Sequence, residues 1–180
     1  MEIKILTQAE QGKHDKEILD MLIQGDAEFV PPLSARSSTT QSDLTGTANV
    51  NGGVLNYFNE LKKQRILVAT EEDKLVGFVS FKENFVNEKI GEECLPNIYI
   101  STLLVAPSGR GKALTSKMYE TLFAEYQNAN IFTRTWSTNE AHIKILSKFG
   151  FETILVLEND RGDGIDTVYF KKGINTPYTR

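Results

Sequence analysis

The residues with the clearest potential for chemistry form a short basic loop, PSGRGK, at residues 107–112. An apolar segment precedes the loop, and apolar residues after it recur at every fourth position, which predicts a helix beginning at Gly111. The first N–H groups of a helix lack intrahelical partners and carry partial positive charge, and Arg110 and Lys112 add full charges. This combination can bind a phosphate or pyrophosphate largely through the backbone. A structural turn with solvated cations is the alternative interpretation.

The glycines of this loop predict that a ligand can approach the backbone closely, but they follow neither of two common nucleotide-binding motifs. Gly109 and Gly111 lack the GxxxxGK[ST] spacing of a Walker motif. They also do not fit the GxGxxG spacing of dinucleotide-binding folds, and no strand–helix–strand unit with a ribose-binding acid follows. The loop by itself therefore leaves the identity of the ligand open.

The elements that must position this loop follow from the hydrophobic pattern, because period two indicates strands and period 3.6 indicates helices. Strands are predicted at residues 3–7, 65–69, 75–81, 97–105, 130–136, 151–157 and 165–171, and helices at 15–24, 54–63, 111–126 and 138–148. Ser137 followed by Glu140 forms a capping-box pattern at the start of the last helix. The expected fold is one mixed α/β domain over residues 1–180, with a mostly antiparallel sheet flanked by helices.

Length and composition restrict the class of protein. A chain of 180 residues fits one domain. Its 20 Lys and Arg against 24 Asp and Glu give a net charge of −4, which argues against partners such as nucleic acid or an anionic membrane surface. One cysteine, Cys94, and two histidines predict neither an internal disulfide nor a metal site. Without a signal-peptide pattern or an apolar run that could span a bilayer, we expect a cytoplasmic protein.

The long segment between the first two predicted helices, residues 26–53, interrupts the regular pattern. It contains two consecutive prolines and the run 34–47, in which eight of fourteen residues are Ser or Thr. Loops of this length inside a compact domain are uncommon unless they are functional. We expect residues 29–47 to form a mobile lid that selects a substrate, with an ordinary solvated loop as the alternative.

Three segments, residues 73–78, 105–115 and 139–151, occur in the same order as three characteristic segments of one known family. Residues 73–78 (DKLVGF) are similar to its hairpin between the second and third strands, and residues 139–151 (NEAHIKILSKFGF) are similar to its segment leading into a later strand. Between them, four residues match the motif V-x-P-x-x-[QR]-G-x-G-x-[GA]: Val105, Pro107, Arg110 and Gly111. Its two later glycine positions hold Ala113 and Thr115 instead. The sequence thus resembles the GNAT superfamily of acyl-CoA N-acyltransferases.

The resemblance implies a fold of this class, acetyl-CoA as acyl donor, and a set of donor-binding residues. The family's pyrophosphate site maps onto the backbone N–H groups of Arg110, Gly111, Lys112, Ala113, Leu114 and Thr115. The end of its fourth strand, which binds the pantetheine arm and the thioester, maps onto Leu103, Leu104 and Val105. Asn139 is expected to contact pantetheine, although a local helix cap is an equally good explanation of this residue.

The acid–base residues are less well matched to the family. Tyr99 stands where many relatives have a catalytic Glu, so it is our candidate for ordering a water that removes the proton, with core packing as the alternative. Glu83 is a second candidate for the base. Leu146 occupies the position of the family's tyrosine acid, which leaves that role vacant or filled by Ser147, Tyr126 or water.

Three functional hypotheses follow. The first is an N-acetyltransferase that moves an acetyl group from acetyl-CoA to the primary amine of a small molecule or peptide by direct attack. The second is a non-catalytic acyl-CoA-binding module of the same fold, since the family's Glu and Tyr are missing. The third is an unrelated nucleotide-binding α/β domain. The sequence does not identify the acceptor; the family resemblance also allows a homodimer.

Overall fold

A seven-stranded sheet forms the centre of the computed structural model, which describes residues 1–44, 52–174 and 176–177. Its strands are β1 Glu2–Ile5, β2 Arg65–Glu71, β3 Lys74–Glu83, β4 Asn97–Val105, β5 Asn130–Trp136, β6 Glu152–Leu157 and β7 Thr167–Lys172. Their order across the sheet is β1-β2-β3-β4-β5-β7-β6. Neighbouring strands are antiparallel except for the parallel pair β4 and β5. The predicted mixed, mostly antiparallel fold is confirmed.

In the described part of the chain, α-helices cover both faces of this sheet. They are α1 Asp15–Gly25, α2 Gly53–Leu61, α3 Leu114–Glu125 and α4 Glu140–Lys148. On one face, α1 and α2 pack against Val68 and Phe78, and on the other, α3 and α4 pack against Leu67 and Val79. Successive strand residues alternate between the two cores because their side chains point to opposite faces. We call the two sides the α1/α2 face and the α3/α4 face.

The cap of α4 differs from the prediction. The helix begins at Glu140, and the side-chain oxygen of Asn139 accepts a hydrogen bond from the N–H of His142 at 3.4 Å. Ser137 is not the cap, because its hydroxyl accepts a bond from the N–H of Asp166 at 2.9 Å. The prediction of a capping box at Ser137 is therefore wrong, and Asn139 takes that role.

The sheet separates in its middle, between β4 and β5. Their parallel pairing ends at Ile100 and Thr133. Beyond these residues β4 continues to Val105 and β5 to Trp136, but the two strands no longer pair. A bulge at Ser101 in the pairing with β3 marks the same level of β4. Bulges bend and twist the strand that carries them, so the two strands diverge and leave a wedge-shaped gap.

The segment between α1 and α2 is packed against the domain in its described part, residues 26–44. Leu33 and Leu44 are buried. The N–H and the hydroxyl of Ser34 each donate to the carboxylate of Asp26 at 2.7 Å. These contacts hold the described part of the segment against the domain. The mobile, substrate-selecting lid at residues 29–47 stays a prediction. Residues 45–47 of that prediction lie outside the described residues.

Candidate functional site

The divergence of β4 and β5 creates a cleft of about 360 Å³. Residues 100–105 of β4 form one wall, and residues 133–136 of β5 form the other. Arg110 and Thr115, from the basic loop and the start of α3, lie along the cleft, and so does Phe29 from the segment after α1. The structure therefore brings the predicted loop and the predicted end of β4 to one site.

The wall on β4 presents backbone groups to this cleft. The N–H of Ala106 donates to the carbonyl of Val76 in β3 at 2.9 Å. Hydrogen-bonded and non-bonded positions alternate along an antiparallel pair. Leu104 therefore directs its backbone groups at β3, whereas Leu103 and Val105 direct theirs away from β3 and into the cleft. The N–H groups at both positions and the carbonyl of Leu103 can thus bind a ligand lying between the strands, while the carbonyl of Val105 also accepts from Nε of Arg110 at 3.4 Å.

The two glycines of the basic loop have different environments. The loop begins with one turn of 3₁₀ helix, Pro107–Gly109. Gly109 is buried, and a Cβ at this position would lie 2.8 Å from the carbonyl oxygen of Val76. Gly111 has a φ of 75° and no atom within 4 Å of where its Cβ would be. The expectation that both glycines admit a ligand is corrected, since Gly109 packs against protein and Gly111 leaves the loop open.

Ala113 shows why the motif that this loop resembles prefers glycine. Its backbone is left-handed, with φ 54° and ψ 28°. Together with Gly111 it delays the helix, so α3 begins at Leu114 and not at the predicted Gly111. A left-handed backbone costs a residue with a Cβ roughly 1–2 kcal/mol. The chain thus keeps the turn that the motif requires while carrying local strain at Ala113.

Ala113→Gly should raise the free energy of unfolding by about 0.5–1 kcal/mol, because relief of the left-handed strain exceeds the added entropy of an unfolded glycine. Urea denaturation measures the change. Ala124→Gly is the matched control, since Ala124 is exposed within α3 and the same exchange there should destabilise by about 1 kcal/mol. A loss of stability at both positions would contradict the strain at Ala113.

The two cations of the loop are each paired with a carboxylate at the surface. Nη2 of Arg110 lies 2.7 Å and 2.8 Å from the two carboxylate oxygens of Glu28. Nζ of Lys112 lies 2.6 Å from Glu71. All four side chains are exposed, so these pairs contribute little to stability. Arg110 is therefore held at the cleft, in a position from which a stronger anion can displace the carboxylate.

Asn139 performs the local role that sequence analysis left open, and it also lies at the cleft. Besides capping α4, its amide nitrogen donates to the hydroxyl of Thr135 at 3.0 Å. Both ends of the side chain are thus fixed by protein, which orients the first turn of α4 toward the gap between the strands. Contact with pantetheine stays a prediction for this residue.

A histidine, His142, lines the cleft beside Asn139. Nε2 of His142 lies 2.8 Å from the hydroxyl of Tyr119, which is fully buried below it. Burial lowers the pKa of His142 to about 4 and raises the pKa of Tyr119. The imidazole is therefore neutral near pH 7. Only the folded packing of α3 against α4 brings these two side chains together, so no local sequence signal marked them.

Lowering the pH from about 7 to about 4.5 should destabilise the natural protein more strongly than the same change destabilises a His142→Gln variant. The folded pKa of His142, about 4, lies below its ordinary value of 6.5, so the unfolded state binds more protons between them. The contribution of the neutral imidazole is complete above pH 6.5 and is lost as the pH falls toward 4. Urea titrations across this range measure the effect. Parallel pH profiles for the two proteins would show that His142 is not held neutral.

Tyr99, the predicted catalytic residue, lies outside the cleft. Its side chain is 1% exposed and belongs to a small core with Phe132 and Tyr169. The ring of Phe85 lies 4.8 Å from its own, between centroids. Burial raises the pKa of Tyr99 to about 12. The structure thus gives this phenol no exposed path to the cleft, and core packing accounts for it.

The other acid–base candidates also lie away from the cleft lining. Glu83 is exposed at the end of β3, where its carboxylate accepts a hydrogen bond from the hydroxyl of Tyr126 at 2.5 Å. Leu146 is fully buried in the core under α4, and Ser147 is exposed on the outer side of that helix. A tyrosine at 146 would therefore enter the core rather than the cleft.

Sequence analysis missed three arginines that line the cleft: Arg36, Arg134 and Arg161. Arg36 and Arg161 are 5% and 6% exposed, respectively. They come from the segment after α1, from β5 and from the turn between β6 and β7, so their proximity depends on the complete fold. We call these three residues the arginine cluster. The ring of Trp136 lies against it, with the guanidinium of Arg161 5.8 Å from the ring centroid.

The chain belongs to the acetyltransferase (GNAT) family, whose model matches residues 38–151, more than half of its length. The fold is similar to that of a ribosomal-protein-alanine N-acetyltransferase from Brucella melitensis (18% identity, TM-score 0.63, covering 96% of this chain and 99% of that one). It is also similar to that of yncA from Salmonella typhimurium, solved with acetyl-CoA (15% identity, TM-score 0.61, covering 100% of this chain and 97% of that one). A third similar structure is that of an aminoglycoside 6'-acetyltransferase type Ii (16% identity, TM-score 0.67, covering 99% of this chain and 100% of that one).

A search of curated proteins gives no match. Within the residues that the structure describes, no helix is both long and apolar enough to cross a membrane. The same residues contain no group of three or more His, Cys, Asp or Glu side chains that could hold a metal ion.

Proposed function

We propose that the protein is an N-acetyltransferase that moves an acetyl group from acetyl-CoA to the primary amine of a small molecule or peptide by direct attack. The observation that carries this proposal is the row of backbone groups on β4 that faces the cleft beside the basic loop. A binding loop alone would suit many phosphate ligands. The backbone N–H and carbonyl groups of β4 that face the cleft suit a longer ligand, which extends from the basic loop into the gap between the strands. An acyl thioester joined through a long arm to a diphosphate is such a ligand.

The residues around the cleft fit acetyl-CoA. The open backbone at Gly111, the N–H groups that follow it, and the guanidinium of Arg110 suit the pyrophosphate. Leu103 and Val105 offer backbone donors and acceptors for the amide-rich pantetheine arm. Asn139 and Thr115 line the same path. Acetyl-CoA supplies an acetyl group activated as a thioester.

Leu103 provides the electrophilic assistance in this proposal. Its N–H points into the cleft from a rigid strand, so it can donate to the thioester carbonyl oxygen as negative charge develops there. The amine nitrogen forms a bond to the carbonyl carbon, and the carbon–sulfur bond breaks. The products are an amide and CoA, and one proton from the amine passes to solvent or to the sulfur.

Proton removal depends on the charges of the cleft. Among the described residues, the carboxylate that lines the cleft is Glu28, which is paired with Arg110. The arginine cluster would lower the pKa of a bound ammonium, because like charges disfavour its protonated form. Water can then accept the proton without a side-chain base. This replaces the role that sequence analysis gave to Tyr99.

Release of free CoA thiol from acetyl-CoA in the presence of a mixed amine pool tests the proposed function. We expect release that depends on both the enzyme and the amine. The alternative is a non-catalytic acyl-CoA-binding module. It is supported by Tyr99 and Leu146, which replace the family's catalytic Glu and Tyr. Tight CoA binding in calorimetry without amine-dependent thiol release would favour that module.

A further inference from the structure

The arginine cluster lies on the side of the sheet away from the basic loop. On β5, Ile131 packs in the core of the α3/α4 face, whereas Phe132 packs with Tyr169 in a separate core. Because side chains alternate along a strand, Arg134 and Trp136 share the side of Phe132. The basic loop opens α3 and therefore belongs to the opposite side. The cluster and the donor pyrophosphate site thus lie on opposite faces of the sheet, and both border the gap between β4 and β5.

Two members of the cluster are held by main-chain carbonyls. Arg36 donates from Nε and Nη2 to the carbonyl of Pro31 at 3.1 Å and 2.9 Å, and from Nη2 to the carbonyl of Val30 at 3.3 Å. Arg161 donates from Nη1 to Val30 at 2.5 Å. These bonds orient the guanidinium groups, but a carbonyl carries no full negative charge and does not neutralise them.

Arg134 has the most unused hydrogen-bonding capacity. A guanidinium carries five N–H groups. In the described part of the chain, Arg134 makes one such bond, from Nη1 to the hydroxyl of Tyr169 at 3.0 Å. No buried side-chain nitrogen or oxygen among these residues lacks a partner. The remaining N–H groups of Arg134 therefore face the open cleft.

The positive charge of the cluster exceeds the negative charge around it. None of its guanidinium groups forms an ion pair with a carboxylate of the described residues. Asp160 is buried beside Arg161, but its carboxylate accepts from the hydroxyl of Thr167 at 2.6 Å and from the N–H of Leu44 at 3.5 Å. Residues 45–51 contain no Asp or Glu.

The local electrostatics agree with this excess. Burial, and then the neighbouring charges of Arg36 and Arg134, lower the pKa of Arg161 to about 9. Buried charges are normally paired. Among the described residues, Asp160 is the carboxylate beside the cluster, and Glu28, which also lines the cleft, is paired with Arg110. The excess of positive charge therefore indicates that the natural ligand brings negative charge.

We infer that the acceptor is a small amine that carries an oxyanion, a carboxylate or a phosphate, and that the arginine cluster binds this group. The inference rests on the proposed function for the identity of the reacting amine, but the oxyanion site itself does not depend on turnover. Arg134 supplies unpartnered N–H groups, and planar guanidinium groups match carboxylate and phosphate oxygens. Phe29 and Trp136, with ring centroids 6.0 Å apart, provide an apolar border.

The cluster also disfavours acceptors that are polycations. A polyamine or an aminoglycoside would place several ammonium groups next to uncompensated arginines, and like charges repel strongly where water is excluded. An acceptor with one amine and one oxyanion instead gains an ion pair at the cluster. The lowered pKa that this environment imposes on the ammonium then favours its reactive neutral form.

The test compares amines in matched pairs that differ in the oxyanion alone. One arm uses an α- or ω-amino acid against the alkylamine without its carboxylate, and a second uses an aminoalkyl phosphate against the amino alcohol. We expect kcat/KM to be about 10- to 100-fold higher for the anionic member of at least one pair. Arg134→Gln should reduce that preference to within about threefold, and Arg134→Lys should retain part of it. Arg65→Gln, at an exposed arginine away from the cleft, is the control and should retain the full preference.

A binding measurement separates this inference from the proposed function. Inorganic phosphate and acetate are titrated by calorimetry into protein saturated with CoA, so that the donor site is already filled. Binding that is lost in Arg134→Gln but kept in Arg65→Gln supports the oxyanion site even when no amine is acetylated. CoA binding by Arg134→Gln shows that this variant is folded. Equal turnover of neutral, cationic and anionic amines, together with no anion binding, would overturn the inference and leave the acetyltransferase proposal standing.

Discussion

Replacing the backbone amide of Leu103 with an ester should lower kcat by about 100- to 1000-fold. The change, made by inserting the α-hydroxy analogue of leucine at position 103, removes the N–H and keeps the side chain. This N–H points into the cleft, so its loss removes no bond to β3. A donor aimed at developing charge is worth about 3–4 kcal/mol in the transition state. Because it acts mainly on that state, KM for acetyl-CoA should change little.

The matched control is the same ester at position 104. The N–H of Leu104 points at β3, so its loss should reduce the free energy of unfolding by about 1 kcal/mol. Its effect on kcat should be far smaller than that at position 103. Similar losses of kcat at the two positions would show that the ester acts through strand geometry, and Leu103 would then have no special part in the chemistry.

Arg110→Ala should weaken CoA binding by about 10- to 100-fold, within the range for a charge-assisted hydrogen bond of roughly 1–3 kcal/mol. Arg110 lies at the mouth of the cleft, where its Nε also approaches the carbonyl of Val105 at 3.4 Å. A pyrophosphate contact persists unchanged through the reaction, so KM for acetyl-CoA should rise while kcat stays nearly constant. Calorimetric titration of CoA and steady-state kinetics measure the two effects separately.

Glu28→Gln provides the opposite change at the same site. If Arg110 binds CoA as proposed, Glu28 competes for it, and the removal of this carboxylate should strengthen CoA binding by a few-fold, since an exposed ion pair is worth less than about 1 kcal/mol. Arg65→Ala, an exposed arginine paired with Glu83, serves as the control for loss of one positive charge. If the Arg110 and Arg65 variants bound CoA equally well, Arg110 would have no contact with the donor.

The parts of the site that are local in sequence could be predicted. The basic loop is encoded within residues 107–112, and the strand before it and the helix after it follow from their apolar spacing. The exact start of α3 could not be predicted, because Ala113 adopts a left-handed backbone that alanine rarely adopts. The burial of Gly109 against Val76 could not be predicted either, because it depends on how the loop packs against the neighbouring strand.

The proposed acid–base chemistry and the proposed acceptor site could not be predicted from the sequence. Tyr99 stands at the position of the family's catalytic Glu, but packing with Phe85, from the segment that follows β3, closes it off from solvent. The position of Leu146 on α4 turns it into the core instead of the cleft. The arginine cluster joins residues from three distant parts of the chain, and isolated arginines in a sequence resemble ordinary solvated charges.

The central claim is that the cleft between β4 and β5 transfers an acetyl group directly from acetyl-CoA to an amine. A single-turnover reaction with excess protein, followed by intact mass spectrometry of protein and small molecules, tests it most directly. We expect acetylated amine and free CoA to form in equal amounts while the mass of the protein remains unchanged throughout. Acetylated protein that forms before the product and then decays would contradict direct attack, and acetyl-CoA that stays bound but intact with every amine would contradict the transferase itself.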